Sequence, residues 1–425
     1  MSKFEVKMQE TTRKIPELLL PAGTPEKLKV AYKYGADACY VGAAGFSMRP
    51  DQASFTLERI AQACDLAHSM DKKLYVGINS MYFENDMPQL ADWLKQSHGI
   101  NVDALIVSDP GAFELVKQHR PDVELHISTQ LSTANSIAVE FWRKNGADRV
   151  ILARECSLAD ITKIAAQSKI PIESFVHGAM CTAVSGRCLL SAHLSGKSGS
   201  RGQCKHTCRW DWQLVESKRP GMTVPVYETG RETIFLGSTD LCLIEHIPEL
   251  VKSGLASLKV EGRMKSEYYV AAVARVYRKA LDTYAQMGDD YKYDPALLAE
   301  LETVNHQPYE KGFAFGYPED PAELQSPGRV KGTHFFVGLV QNSTPGKATV
   351  DTKRPIATGE KIEWIAPGFE RGTVTIKQVR DEFGKHRQWS HVGRIVEFEY
   401  EEQIALPECA IFRRETELPD IPKEL

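Results

Sequence analysis

The sequence has no unbroken apolar run approaching the roughly 18 residues that a membrane-spanning helix requires, so no membrane contact is expected. The segment 1–14 is polar and charged and lacks the apolar stretch of a secretory signal, which makes the cytoplasm the expected compartment. A basic excess is also missing. The formal net charge is −4, so any contact with nucleic acid has to come from a local patch. No P-loop, Gly-x-Ser-x-Gly or His-Glu-x-x-His motif occurs, which counts against an ordinary NTPase, serine hydrolase or zinc protease. The glycine-rich Gly42-Ala43-Ala44-Gly45 lacks the spacing of a dinucleotide fingerprint. No low-complexity tract is present, and 42% hydrophobic with 25% charged residues is the balance of an ordinary globular protein.

What is present is a rhythm. Short apolar runs recur at 17–20 (ELLL), 38–41 (ACYV), 73–78 (KLYVGI), 104–107 (ALIV), 124–127 (ELHI), 149–152 (RVIL), 173–176 (ESFV) and 258–260 (LKV). They are continuous rather than alternating, as suits parallel strands covered on both faces. Helical patterns separate them, for instance over 57–70 and 266–284. Gly35, Gly146 and Gly254 each stand between a helical stretch and the next strand, where a left-handed helix end favours glycine. Eight such units predict an α/β fold, a (β/α)₈ TIM-like barrel, with a doubly wound sheet as the alternative. The barrel is expected over 1–286, interrupted after strand 7 by a cysteine-rich loop at 178–238. A loop that long is uncommon unless it is functional, and in a barrel it would cover the C-terminal mouth. Residues 287–333 read as a helix and a Gly/Pro-rich linker. Residues 334–425 read as a small antiparallel β-barrel domain built from FFVGLV, KATVDT, KIEWI, GTVTIKQVR, RIVEFEY and AIFRR.

Four of the nine cysteines cluster as Cys181-x6-Cys188-x15-Cys204-x3-Cys208. In a reducing compartment such a cluster suits metal ligation better than disulfides. Structural zinc usually takes cysteine pairs two to four residues apart, a spacing met by Cys204 and Cys208 and not by Cys181 and Cys188. An iron–sulfur cluster is therefore preferred, with zinc and a metal-free loop left open. Cys242 reads as a buried cysteine opening an apolar helix, or else as a replacement ligand. Cys39, Cys64, Cys156 and Cys409 read as inert core residues. The loop is also basic, with Lys197, Arg201, Lys205, His206 and Arg209 followed by Trp210 and Trp212. That combination offers phosphate neutralisation and base stacking, or simply a solvated loop. Residues just past barrel strands face the mouth, which nominates Asn79, Asp109, Gln130, Arg154, Glu155, His177, Glu261 and Arg263. Arginines there would suit an anionic small molecule, and His177 could act as a base or merely as a hydrogen-bond donor.

The stretch 173–191 carries Glu173, Phe175, Gly178, Cys181, Gly186, Cys188 and Ser191. Together with ELLLPAG at 17–23, GQCKHTCRW at 202–210 and LKVEGRMKS at 258–266, it resembles the collagenase-like peptidase family, family U-thirty-two. Within that family the chain is most similar to the branch that hydroxylates tRNA. The resemblance covers essentially the whole chain. It implies a tRNA-modifying enzyme that forms 5-hydroxyuridine at the wobble position independently of molecular oxygen. It further implies a 4Fe-4S cluster on Cys181, Cys188, Cys204 and Cys208, prephenate as co-substrate, and a paralogous family member as a hetero-oligomeric partner. On that reading His177, Glu155 and Glu261 are the catalytic candidates, and Arg154, Arg187, Arg263, Asn79 and Gln130 bind substrate. Lys197, Arg201, Lys205 and Arg209 touch RNA, and the small β domain helps grip it. The rival readings are a peptidase, for which four clustered thiols are a poor fit, and a non-catalytic cluster-carrying subunit.

Overall fold

The computed structural model describes residues 15–48, 53–180, 190–201, 203–205, 207, 227–229, 232–234, 239–317 and 330–416. Seven parallel strands follow one another: β1 (Glu17–Pro21), β2 (Ala38–Gly42), β3 (Lys73–Ile78), β4 (Ala104–Val107), β5 (Glu124–Ile127), β6 (Arg149–Ile151) and β7 (Ile172–Ala179). Past a separate two-stranded hairpin in the insertion (Tyr227–Thr229 with Glu232–Ile234), the same sheet continues with a short strand β8 (Asp240–Cys242) and then β9 (Ser257–Val260). β9 lies parallel to both β7 and β1, so β1–β7 and β9 close into an eight-stranded parallel barrel. Helices α1 (Pro25–Lys33), α2 (Leu57–Ser69), α3 (Met87–Gln96), α4 (Pro110–His119), α5 (Ser136–Lys144) and α6 (Leu158–Gln167) alternate with the strands. After the insertion, which holds α7 (Leu190–Ser195), come α8 (Ile247–Lys252) and the long α9 (Glu267–Met287). Local chemistry starts these helices where the sequence suggests. Thr24, Thr56, Asp109, Asn135, Ser157 and Ser266 each cap a helix by accepting a backbone N–H. None of the described helices is long and apolar enough to cross a membrane.

The barrel interior is unusual in its polarity. Barrels of this architecture are generally filled by branched aliphatic side chains. Here the register aligns Glu17, Arg149, Glu173 and Lys259 on the inward parity of β1, β6, β7 and β9. Glu173 is fully buried, 2.7 Å from Lys259 Nζ and 3.0 Å from Arg149 Nη1. Arg149 also reaches Glu17 at 2.7 Å. Tyr75 donates its hydroxyl to Glu17 at 2.7 Å, and the Arg149 guanidinium lies over the Tyr75 ring. Lys259 packs over the rings of Tyr40 and Phe175. Burial alone would raise the Glu173 pKa, but Lys259 and Arg149 together hold it at about 2.

The C-terminal part forms a second, antiparallel barrel from β11 (His334–Thr344), β12 (Lys347–Thr352), β13 (Lys361–Ile365), β14 (Arg371–Arg380), β15 (Ile395–Tyr400) and β16 (Ile411–Glu415). The order β13-β16-β11-β12-β15-β14 closes through the β13–β14 pairing. It packs on the side of the first barrel, against α1, α9 and α10 (Ala296–Leu301). The Tyr34 hydroxyl on the α1 end meets the carbonyls of Ile365 and Cys409 at 3.0 Å each. Glu300 accepts from Arg275 at 3.2 Å and from Arg413 at 2.8 Å.

Two expectations need correction. Cys242 does not open a helix. It ends β8, which pairs antiparallel with the overhanging end of β7. Part of the segment read as linker also joins the same sheet, because β10 (Tyr309–Glu310) pairs with β8. β7 outlasts its parallel neighbours; its overhang pairs with β8, and β8 in turn pairs with β10. Replacement of Lys259 by Met is expected to destabilise the chain by about 3–5 kcal/mol in denaturant unfolding, because it strands Glu173 with half its compensation. Since the folded pKa of Glu173 lies below its unfolded value, the stability it contributes is present above about pH 4.5 and disappears as pH falls towards about 2. Glu173→Gln should flatten that acid limb.

Candidate active site at the barrel mouth

The strand ends deliver their candidates unevenly to the mouth. Arg154, beyond β6, donates from Nη1 to the Ala179 carbonyl at 2.6 Å and from Nη2 to Glu261 at 3.0 Å. Its guanidinium lies 3.9 Å from the centre of the Phe175 ring. Two contacts on β7 and one just past β9 fix this cation, with only 11% of its side chain exposed, against 13% for Glu261. Arg263 is buried, and its Nη2 donates to the Ser47 hydroxyl at 2.5 Å. It lies so close to β2 that a Cβ on Gly42 would collide with its guanidinium. The turn carrying both residues is shaped by its glycine. Gly262 has φ +153°, and a side chain there would strike the Tyr269 ring at 2.5 Å. Across the turn, Gly178 has φ +100° and leaves no room beside the Glu261 carbonyl. Asn79 and Gln130 hold each other, Asn79 Nδ2 donating to Gln130 Oε1 at 2.8 Å and Gln130 Nε2 to the Asn79 carbonyl at 3.1 Å. Glu155 is half-buried in the turn after β6.

His177 departs from the expectation. It is wholly buried and faces Tyr269, Tyr277 and Tyr309, with ring centroids 5.3–6.0 Å away, rather than the mouth. The cause is a bulge. Phe175 pairs with Lys259 and His177 with Val260, so β7 carries one extra residue and the side-chain alternation resets. His177 therefore turns outward, towards α9. Burial holds its pKa down at about 3, so it stays neutral and is no general base for chemistry at the mouth. Asp109 is likewise a helix cap, accepting from the Ala112 N–H at 3.0 Å.

The insertion is anchored to the mouth. Met81, just past β3, donates its N–H to the Ser200 carbonyl at 3.0 Å. Arg201 forks onto Asp86 at 2.7 and 3.1 Å and donates to the Met81 carbonyl at 3.1 Å. Arg201, read as an RNA contact, is thus a latch between insertion and barrel, and Lys197 and Lys205 remain exposed. A shallow cleft opens at this junction, lined by Phe46, Ser80, Tyr82, Asp86, Gln89 and Arg201. Cys204 lies three residues beyond the latch, exposed. Cys181, Cys188 and Cys208 lie outside the described residues, as do Arg187, His206, Arg209, Trp210 and Trp212. The other cysteines behave as core. Burial raises the thiols of Cys39 and Cys409, and lifts those of Cys64 and Cys242 to about 12 and that of Cys156 to about 11. These five thiols are buried and held in the neutral form, unlike the exposed Cys204 of the insertion.

Residues missed in the sequence are Ser47, Asp86, Arg149 and Lys259. For Arg149 and Lys259 a signal existed, a lone charge inside an apolar strand. Ser47 and Asp86 lie in loops, where nothing announced their partners. Two outcomes check this account. His177→Phe should make acid destabilisation shallower between about pH 6.5 and 3, because the unfolded histidine takes a proton there and the folded one does not. Asp86→Asn should speed amide exchange at Met81 several-fold, since a forked, half-exposed pair contributes about 1 kcal/mol.

The family model described as peptidase family U32 matches residues 23–323. The tRNA hydroxylation protein P1 of Bacillus subtilis is 38% identical over 394 residues, covering 92% of this chain and 93% of that one. The tRNA hydroxylation protein P of Escherichia coli is 35% identical over 396 residues, covering 83% and 86%. The Escherichia coli 23S rRNA 5-hydroxycytidine C2501 synthase is 33% identical over 368 residues, covering 84% of this chain and 54% of its own. The extent of these matches shows that the chain belongs to peptidase family U32.

Proposed function

We propose that this protein hydroxylates nucleic acid, and that its substrate is the wobble uridine of tRNA, converted at C5 to 5-hydroxyuridine with prephenate as co-substrate. The observation that carries the reading is the meeting of fixed cations and a cysteine-bearing insertion at one barrel mouth, in a chain similar over most of its length to proteins named for tRNA hydroxylation.

In this reading Cys181, Cys188, Cys204 and Cys208 would hold a 4Fe-4S cluster. The donor set fits. Four cysteines share one insertion, and the one within the described residues is exposed at the mouth, whereas the remaining thiols of the chain are buried and protonated. When bound, such a cluster supplies electron transfer or Lewis acidity. The protein's own residues set the rest. Arg154 and Arg263 would supply guanidinium N–H groups to a dicarboxylate. Glu261 holds Arg154 in place and is the carboxylate best situated to exchange a proton at the mouth, with Glu155 nearby in sequence to Arg154. Asn79 and Gln130, locked to each other, present amide groups to a neutral ring. Lys197 and Lys205 lie exposed on the insertion, where phosphates could be met. A peptidase dyad of Cys181 with His177 gains no support, because the imidazole is sealed behind β7.

Anaerobically purified protein should carry about four irons per chain, and Cys204→Ser should lower iron content and abolish wobble hydroxylation in a tRNA assay with prephenate supplied. Arg154→Lys should raise the prephenate KM about 10- to 100-fold, the value of hydrogen bonds to a charged group, while iron content stays unchanged. Full modification by the iron-free protein, or without prephenate, would overturn the reading.

A further inference from the structure

The C-terminal barrel exposes one edge that its own fold does not use. Phe383 stands 86% exposed, more than any other large hydrophobic side chain among the described residues. Its position is built rather than incidental. It sits on a turn organised by Asp381, a buried carboxylate that accepts from the N–H groups of Phe383 at 3.0 Å and Lys385 at 2.9 Å and from Arg387 Nε at 2.8 Å. The turn closes with Gly384 N–H on the Asp381 carbonyl at 2.9 Å, and Gly384 takes φ +77°. The ring is therefore held out on a pre-organised support, which lowers the entropy lost when something stacks on it.

The surroundings are cationic. Lys385, His386 and Arg387 follow the ring in sequence and are exposed. The neighbouring loop brings Arg394, tied to Glu382 at 3.5 Å and still 64% exposed, with His391 beside it. Val392 and Ile395 add exposed apolar surface on the same edge. Over 381–394 there are three cations and two histidines against two carboxylates, one of them buried, in a chain whose net charge is −4. Hydrogen bonds between the two barrels run through Ile365, Glu370, Cys409 and Arg413, and Phe383, Lys385 and Arg387 stay exposed.

We propose that the edge around Phe383 is a docking surface for a single-stranded stretch of RNA, with a base stacked on the Phe383 ring and phosphates met by Lys385, Arg387 and Arg394. The inference rests on the reading of this chain as acting on tRNA and extends it to a second contact, distinct from the barrel mouth. A presented aromatic face flanked by cations is what sequence-tolerant single-strand binding requires. A protein partner would favour a broader continuous apolar face, which the interspersed cations interrupt.

The test is binding of an unmodified tRNA transcript to the full-length protein, followed by fluorescence anisotropy over a range of salt. Phe383→Ala should weaken binding about tenfold and Phe383→Trp should restore it, as expected for a stacked base. Lys385→Ala should reduce the slope of log affinity against log salt by about one. The ring makes little contact with its own fold, so unchanged circular dichroism and melting would show that the variants are folded. Binding of Phe383→Ala within about twofold of the parent would overturn the inference while leaving the tRNA reading intact. A parent protein that does not bind the transcript would overturn both. A dimer that dissociates on Phe383→Ala, with RNA affinity unchanged, would assign the edge to a second copy of this chain instead.

Discussion

Glu173, sealed inside the first barrel, is a charge that the fold can keep only by surrounding it. Lys259 and Arg149 approach it from the neighbouring strands, and Arg149 then needs Glu17, which in turn takes the Tyr75 hydroxyl. The network ties β1, β3, β6, β7 and β9 to a common register, because a slip of one residue would turn a charge into the apolar shell of helices. An aliphatic filling would be at least as stable in principle, since burying ions sacrifices solvation. What the ions add is directionality. They fix which residues face the lumen and therefore which stand at its rim.

The rim follows from that register. Above Glu173 comes Phe175, on which Arg154 rests, and above Lys259 comes Glu261, which holds Arg154. The bulge opposite Lys259 and Val260 then removes His177 from this column and hands it to the tyrosines of α9 and β10. The signature residues Glu173, Phe175, Gly178 and Lys259 thus serve the architecture of the site. Glu261 and Arg154 pair at the rim itself, with Arg263 buried against Ser47 beside them. Among the described residues, the histidine nearest the cysteine insertion in sequence, His177, is turned away from the mouth, whereas Arg154 stands at its rim. Among the described residues the insertion is docked by the Met81–Ser200 backbone hydrogen bond and by Arg201, which reaches both Asp86 and the Met81 carbonyl, so the β3–α3 loop supplies its partners.

The two barrels divide the labour that the proposals assign. The first holds the reacting groups near its axis. The second, pinned by Glu300, Arg413 and Tyr34 to the outside of the first, keeps a cationic edge free. A rigid joint of this kind lets one barrel position a long, charged polymer while the other acts on a single base.

Much of the fold was legible in the amino-acid sequence. The strands at 73–78, 104–107 and 124–127 coincide with their apolar runs, because a strand covered on both faces has to be continuously apolar and is bounded by turn residues. Helix starts were legible too, since a cap is a local interaction between residues three apart. The cysteine spacing and the single glycine of the 258–266 motif, Gly262, marked the region of the candidate site. Tertiary structure alone decided the rest. That His177 faces away from the mouth depends on a one-residue bulge against a strand more than 80 positions later, and no local pattern encodes it. That Arg201 grips Asp86 instead of standing free, and that β8 and β10 extend the barrel sheet, are contacts between distant segments whose energy exists only once the barrel has brought them together.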